Sequence, residues 1–318
     1  MPRCAYRRTV TDETSPRTEA DVAARRRFAG ATTQLGTEVS INLGSSLAGL
    51  VIPIVGSFVV VAVRQLVMVV AVLPFYRPKR HELTWRRLWP ALALGVVLAV
   101  MNLAFYESVH LLGLGIAATI EFLGPLGLAL ATSRRLLDVV CALAAGAGVV
   151  LLIGPGASDA SAIDPWGVAL ALTAAAAWAA YIVLTRRVAV GLPGLEGLTV
   201  ASIVSLALLL PFAVATFDAE ALDWRVIGLL LAIGVLCSAL PYSLDTFILR
   251  RITPRLYAII TSFGPVIAAI FGFLVLGETF TPVEIVAIAI VCGAAGTAIA
   301  TQRERPKSDL EQTADRMA

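Results

Sequence analysis

Between residues 37 and 301 the chain is a succession of ten apolar stretches joined by short polar or basic connections. A helix of roughly 20 apolar residues is long enough to cross the hydrocarbon core of a bilayer. Lipid offers no partner for a backbone N–H or C=O, so such a stretch must satisfy its own backbone as a helix. The expected spans are 37–54, 56–76, 88–108, 112–132, 136–154, 164–184, 197–217, 225–249, 255–277 and 282–301. The expected fold is an all-α polytopic membrane protein whose partner is the lipid bilayer. Of the 318 residues 15% are charged, against about 25% in soluble domains.

The basic residues set the orientation, because cytoplasmic loops retain Lys and Arg. One side receives 23 of the 25: seven Arg before residue 37, then Arg77, Lys79, Arg80, Arg86, Arg87, Arg134, Arg135, Arg186, Arg187, Arg250, Arg251, Arg255 and the four after residue 302. The opposite loops carry acids, among them Asp159, Asp164, Asp218, Glu220, Asp223, Glu278 and Glu284. Both termini are expected in the cytoplasm. Residues 1–36 read as a disordered cytosolic tail and 302–318 as a second one. No apolar core follows Arg7 and Arg8 closely enough for a cleaved signal peptide.

An internal repeat appears at a spacing near 140 residues, with Phe122, Leu123, Gly124 and Pro125 against Ser262, Phe263, Gly264 and Pro265. Leu73, Pro74 and Phe75 recur as Leu210, Pro211 and Phe212, 137 residues on. The halves are expected at 37–156 and 164–301, with five spans each. Five is odd, so the second half enters the membrane inverted, a recurrent plan of secondary transporters.

Glu121 is a carboxylate inside span 4, and intramembrane acids are expensive and mark function by default. Pro125 has no amide proton, so it cannot bond the carbonyl of Glu121 four residues earlier. A Glu beside a Gly-Pro step suits a polar cavity. It also suits a kinked helix whose protonated acid bonds a neighbour. Thr261 stands in the same relation to Pro265 on span 9, and the two sites can face each other.

Span 8 adds Pro241, Tyr242 and Asp245. Tyr242 and Asp245 share a helix face; the acid either lines the cavity or leans toward Arg250 and Arg251. Asn102 and Tyr106 follow helical spacing on span 3. On span 6, Trp178 and Tyr181 read either as ligand contacts or as packing aromatics. Ser40, Asn42, Ser45 and Ser46 make span 1 the least apolar. Arg64, inside span 2, can bind a carboxylate or serve a structural end. The candidate kink residues are Gly124, Pro125, Pro241, Gly264 and Pro265. Small residues on span 5 (Ala142, Ala145, Gly146, Gly148) and span 10 (Gly293, Ala294, Gly296, Ala298) suit tight packing, including that of a homodimer.

Other chemistries find little support. Cys4, Cys141, Cys237 and Cys292 lack disulfide or zinc spacing. Gly113, Gly115 and Ala118 match a dinucleotide fingerprint loosely but follow no strand. His81 and His110 fall on opposite sides of the membrane, so neither can activate Ser46 as a nucleophile. We therefore expect no enzyme, cofactor, metal or nucleic-acid partner.

With these residues in view the chain resembles the drug/metabolite transporter superfamily in its EamA-type branch, and within it the bacterial threonine and homoserine exporters. Thr119–Leu126 (TIEFLGPL), Ala239–Asp245 (ALPYSLD) and Leu276–Pro282 (LGETFTP) carry the likeness. It covers roughly 37–301, and the Arg-rich tail departs from it. Asp245 stands where the resemblance leads us to expect Glu.

The resemblance implies an inner-membrane exporter of small neutral amino acids, coupled to protons, with a cavity lined by spans 1, 3, 4, 6, 8 and 9. A desolvated carboxylate can exchange a proton for another cation. In the simplest antiport, Glu121 holds either the substrate ammonium or a proton, and rocking repeats expose it to each side in turn. Export of another metabolite or a drug on the same fold is the alternative, and an intramembrane enzyme a more distant one.

Overall fold

The computed structural model describes residues 16–74, 84–131, 135–154, 163–192, 195–249 and 251–301, and every regular element among them is helical. Span 1 is Pro16–Val55, span 2 Ser57–Val72, span 3 Trp85–Leu112 and span 5 Leu136–Ile153. Span 6 is Pro165–Gly191, span 7 Glu196–Ala215 and span 10 Pro282–Thr301. Three spans are interrupted. Span 4 is two helices, Leu114–Glu121 and Leu123–Ala131. Span 8 passes from Trp224–Gly234 through a π-helical turn, Val235–Ala239, to Leu240–Leu249. Span 9 is Pro254–Thr261 and Gly264–Phe271, ending in a second π-helical turn at Gly272–Leu276.

Eight of the ten are long and apolar enough to cross a membrane, and Ser57–Val72 and Leu114–Leu128 are shorter apolar helices. Val70, Leu143, Val150, Phe273 and Leu274 lie exposed on the outer surface. In water such a surface would be an aggregation liability; in a bilayer it is the lipid-facing shell.

One boundary differs from expectation. Residues 16–36, read as disordered tail, belong to the helix of span 1. Gly30, Gln34, Thr37 and Glu38 lie on one helical face and all four are buried, Gly30 so closely that a Cβ there would stand 2.7 Å from Arg251 Cβ. Contacts with the turn between spans 8 and 9 hold the helix, whereas Arg25, Arg26 and Arg27 stay exposed. The face is polar, so hydropathy alone did not extend the span. Residues 1–15 and 302–318 lie outside the described residues, as do Arg77, Lys79, Arg80, His81, Arg134 and Arg250.

The core falls into two main bodies. One joins spans 1, 2, 3, 7 and 8 through Val51, Val60, Tyr106, Leu209 and Ile233. The other joins spans 4, 5, 6 and 10 through Ile120, Leu152, Ala171 and Val291. Much of the small-residue surface of spans 5 and 10 is used within the chain: a Cβ on Gly148 would meet Val291 at 2.9 Å, and Ala145 clusters with Ala294 and Ala298. Gly146 and Gly293 alone of that set's glycines look outward onto open space.

The repeat is visible in local geometry. Leu114–Glu121 and Pro254–Thr261 are each eight residues long and stand 140 positions apart. Phe122 and Ser262, which follow them, share the dihedrals φ −64°, ψ −14°. Each break lies three residues before its proline, where the missing N–H leaves a carbonyl without its helical donor.

Candidate functional site

The π-helical turn of span 8 sets the centre of the site. Pro241 has no N–H to offer Cys237, its i−4 residue, or Leu236, its i−5 residue in the wider π geometry. Side chains from other spans take both carbonyls. Ser40 Oγ donates to Leu236 O at 2.8 Å, and Arg64 Nη2 donates to Cys237 O at 3.2 Å.

Arg64 is buried and almost fully bonded. Its Nη1 donates to Asn102 Oδ1 at 2.8 Å and Tyr106 Oη at 2.7 Å, and its Nε donates to Ser238 Oγ at 3.2 Å. Its guanidinium carbon lies 5.3 Å from the centre of the Tyr106 ring. Asn102 is oriented by donating Nδ2 to the carbonyl of Leu98 at 2.8 Å. Among the described residues four of the five guanidinium N–H groups are thus engaged, and the remaining one is on Nη2. Every partner is neutral, so the positive charge has no bonded counter-ion among the described residues.

Glu121 closes the first helix of span 4, partly exposed, and its carboxylate makes no hydrogen bond among the described residues. It lies within electrostatic reach of Arg64, as does Tyr242. Spans 2, 3, 4 and 8 therefore bring an unbonded acid and a fixed cation to one region.

The remaining candidates divide. Asn102, Tyr106 and Arg64 come together as described. Thr261 joins a different group: its Oγ1 accepts from Gln34 Nε2 at 3.2 Å, and the same Nε2 donates to Glu38 Oε1 at 3.0 Å. Trp178 packs edge-on against Phe122, ring centres 5.8 Å apart, and Tyr181 lies against the cluster of Leu94 and Leu98. Asp245 is on the helix Leu240–Leu249, but its side chain lies outside the described ones. Gly124 and Pro125 follow the break in span 4, Gly264 and Pro265 open the second helix of span 9, and Pro241 follows the π-helical turn.

Gln34, Glu38 and the backbone of Cys237 are parts that sequence reasoning missed. So is Glu278, whose carboxylate accepts from the backbone N–H of Leu114 (2.5 Å) and Gly115 (3.2 Å). It ties the turn between spans 9 and 10 to the start of span 4, with Gly113 (φ 84°) and Gly277 (φ 70°) giving the backbone its tight path. Burial pushes the Glu278 carboxyl above its ordinary range, opposed by those two backbone bonds.

Ten apolar spans, three of them broken beside buried polar groups, define a multi-pass membrane transporter. Residues 165–301, spans 6 to 10, match the EamA-like transporter family. The threonine/homoserine exporter RhtA of Escherichia coli K12 is 35% identical over 273 residues, 86% of this chain and 92% of the relative. RhtA of Salmonella typhimurium LT2 is 36% identical over 266 residues, 83% and 90% of the two chains. The chain belongs to the EamA-like transporter family. A solved crystal structure at 20% identity superposes with a TM-score of 0.54, covering 88% of this chain and 96% of its own, a likeness that carries the fold alone.

Proposed function

We propose that this protein exports small neutral amino acids of the threonine and homoserine class from the cytoplasm across the inner membrane, in exchange for protons. The observation that carries the reading is the pair Glu121 and Arg64, an acid without a hydrogen-bond partner among the described residues and a buried cation without a bonded counter-ion. A zwitterion offers one charge to each: its ammonium to Glu121, its carboxylate to the Nη2–H of Arg64 that has no acceptor among the described residues. The names of the RhtA relatives support the substrate class.

Antiport follows if Glu121 holds either the substrate ammonium or a proton. Two five-span repeats, 37–156 and 164–301, rock about the site and expose it in turn, with both termini in the cytoplasm. Tyr242 and Thr261 line the route, Asp245 of span 8 is proposed as a further substrate or proton residue, and the outward Gly146 and Gly293 offer a face to a second copy.

The test is efflux from proteoliposomes across a panel of amino acids, with and without a pH gradient. Gradient-dependent efflux of threonine in the parent and its loss in Glu121→Gln are the expected results. Indifference to every amino acid sinks the substrate class. Persistence of proton-driven flux in Glu121→Gln at the parent rate removes Glu121 from the coupling step.

A further inference from the structure

The face of span 1 that packs against the turn between spans 8 and 9 runs on past that turn. Gly30 touches it, since a Cβ there would stand 2.7 Å from both Arg251 Cβ and Ile252 Cγ2. Arg26 and Arg27 precede Gly30 by four and three residues, so they continue the same face one helical turn further out, with their Cβ atoms about 5–6 Å from the contact. Both are exposed, as is Arg255, four residues after Arg251. Arg26, Arg27 and Arg251, drawn from the two halves of the chain, are therefore within side-chain reach of one anion.

Among the described residues nothing neutralises them: none of Arg25, Arg26, Arg27, Arg251 and Arg255 is in an ion pair. Arg251 is fixed all the same. Its guanidinium carbon lies 3.4 Å from the centre of the Phe247 ring, and its Nη1 donates to the Phe247 carbonyl at 3.0 Å. The other N–H groups of that fork have no acceptor among the described residues and are available to an oxyanion. Depth selects the kind of anion. Arg251 comes directly after the apolar stretch that ends span 8, at the edge of the hydrocarbon, and Gly30 is level with it. One further helical turn, about 5.4 Å, places Arg26 and Arg27 in the headgroup layer, which is roughly 5–7 Å deep on each side. Phe28 beside them is 72% exposed, and exposed arginines next to an exposed aromatic are the composition of a helix surface that lies against headgroups.

We propose that Arg26, Arg27 and Arg251 bind the headgroup phosphate of an anionic phospholipid, which bridges span 1 of the first half to the end of span 8 in the second. Arg25 and Arg255 add to the positive field around it. A zwitterionic lipid brings its own cation alongside the phosphate and is bound less tightly. The site stands apart from the transport reading, since none of its residues belongs to the group around Arg64 and Glu121.

Titration of the purified full-length chain in neutral detergent with phosphatidylglycerol, followed lipid by lipid in native mass spectra, tests it. The first phosphatidylglycerol is expected to bind the parent about tenfold or more tightly than phosphatidylcholine does. Arg26→Gln/Arg27→Gln should weaken that first lipid about thirtyfold, and Arg251→Gln about fivefold. The control is Arg186→Gln/Arg187→Gln, which removes the same charge from exposed positions at the end of span 6 and should leave the first affinity within about twofold of the parent. Equal weakening by the two double variants overturns the proposal, because binding then follows net charge and not a site. An unchanged first affinity in Arg26→Gln/Arg27→Gln overturns it as well. So does displacement of the lipid by millimolar inorganic phosphate, which makes the cluster a site for a free anion.

Discussion

Arg64 Nη2 donates to the carbonyl of Cys237 at 3.2 Å, and that carbonyl is available because Pro241, four residues on, has no N–H to give it. A proline on one span thereby selects the partner of an arginine on another. Pro241→Ala supplies the missing amide and lets span 8 close its own backbone. Arg64 should lose an anchor while the helix gains a bond, so the variant is expected to be as thermally stable as the parent but to transport more slowly. Melting curves and efflux rates from one preparation distinguish this from simple misfolding.

Removing the guanidinium acts in the opposite direction. Arg64→Met leaves Asn102, Tyr106, Ser238 and Cys237 without their donor. Interhelical hydrogen bonds in membranes are worth on average about 0.6 kcal/mol each, so the four together come to roughly 2 kcal/mol. Denaturation in mixed micelles should show a loss of that order. A change within error would mean that the network is not formed.

Glu278 gives a pH dependence outside the membrane. Burial raises its carboxyl above the ordinary value, so the native state holds the proton more tightly than the unfolded chain does. Its contribution to stability is therefore complete below the ordinary carboxylate range and is lost as pH rises through the elevated native value. Melting temperature followed against pH should fall across that window in the parent, and Glu278→Gln should flatten the profile. Glu278→Ala removes both caps on Leu114 and Gly115 and should cost about 1 kcal/mol.

The two post-break glycines should behave differently. Gly124→Ala drives a methyl into the backbone of Ala175, which cannot rotate away, and overpacking of this kind costs about 1–3 kcal/mol. Gly264→Ala meets only the end of the Glu38 side chain, at ordinary contact distance. Yield and melting temperature should fall for the first variant and hold for the second.

Most of the fold was legible because the membrane restricts the choices: length and hydropathy placed ten spans, and the missing amides of Pro125 and Pro265 placed two breaks within three residues. The same rule applied to Pro241 would have found Cys237, but the π-helical turn that widens the gap leaves no mark in the sequence. Glu38 and Gln34 were hidden for another reason. They lie on the polar face of a helix that stays helical through contacts with spans 8 and 9, and such contacts are invisible to a hydropathy window. Glu278 stood out only as a family turn, since nothing local shows that a carboxylate there reaches the start of span 4, more than 160 residues earlier.

Glu121 and Arg64 taken together make a prediction that neither makes alone. If they hold opposite ends of one zwitterion, threonine methyl ester keeps the ammonium for Glu121 and gives Arg64 no charge to meet. Threonine should therefore be preferred to its ester in the parent by about tenfold or more, the worth of a hydrogen bond between charged groups in a dry site. Arg64→Met should erase that preference by weakening threonine and leaving the ester where it was. Glu121→Gln should weaken both alike. Competition of each compound against labelled threonine in vesicles reads all three outcomes. A preference that survives Arg64→Met places the carboxylate contact elsewhere and leaves Arg64 as the brace that joins spans 2, 3 and 8.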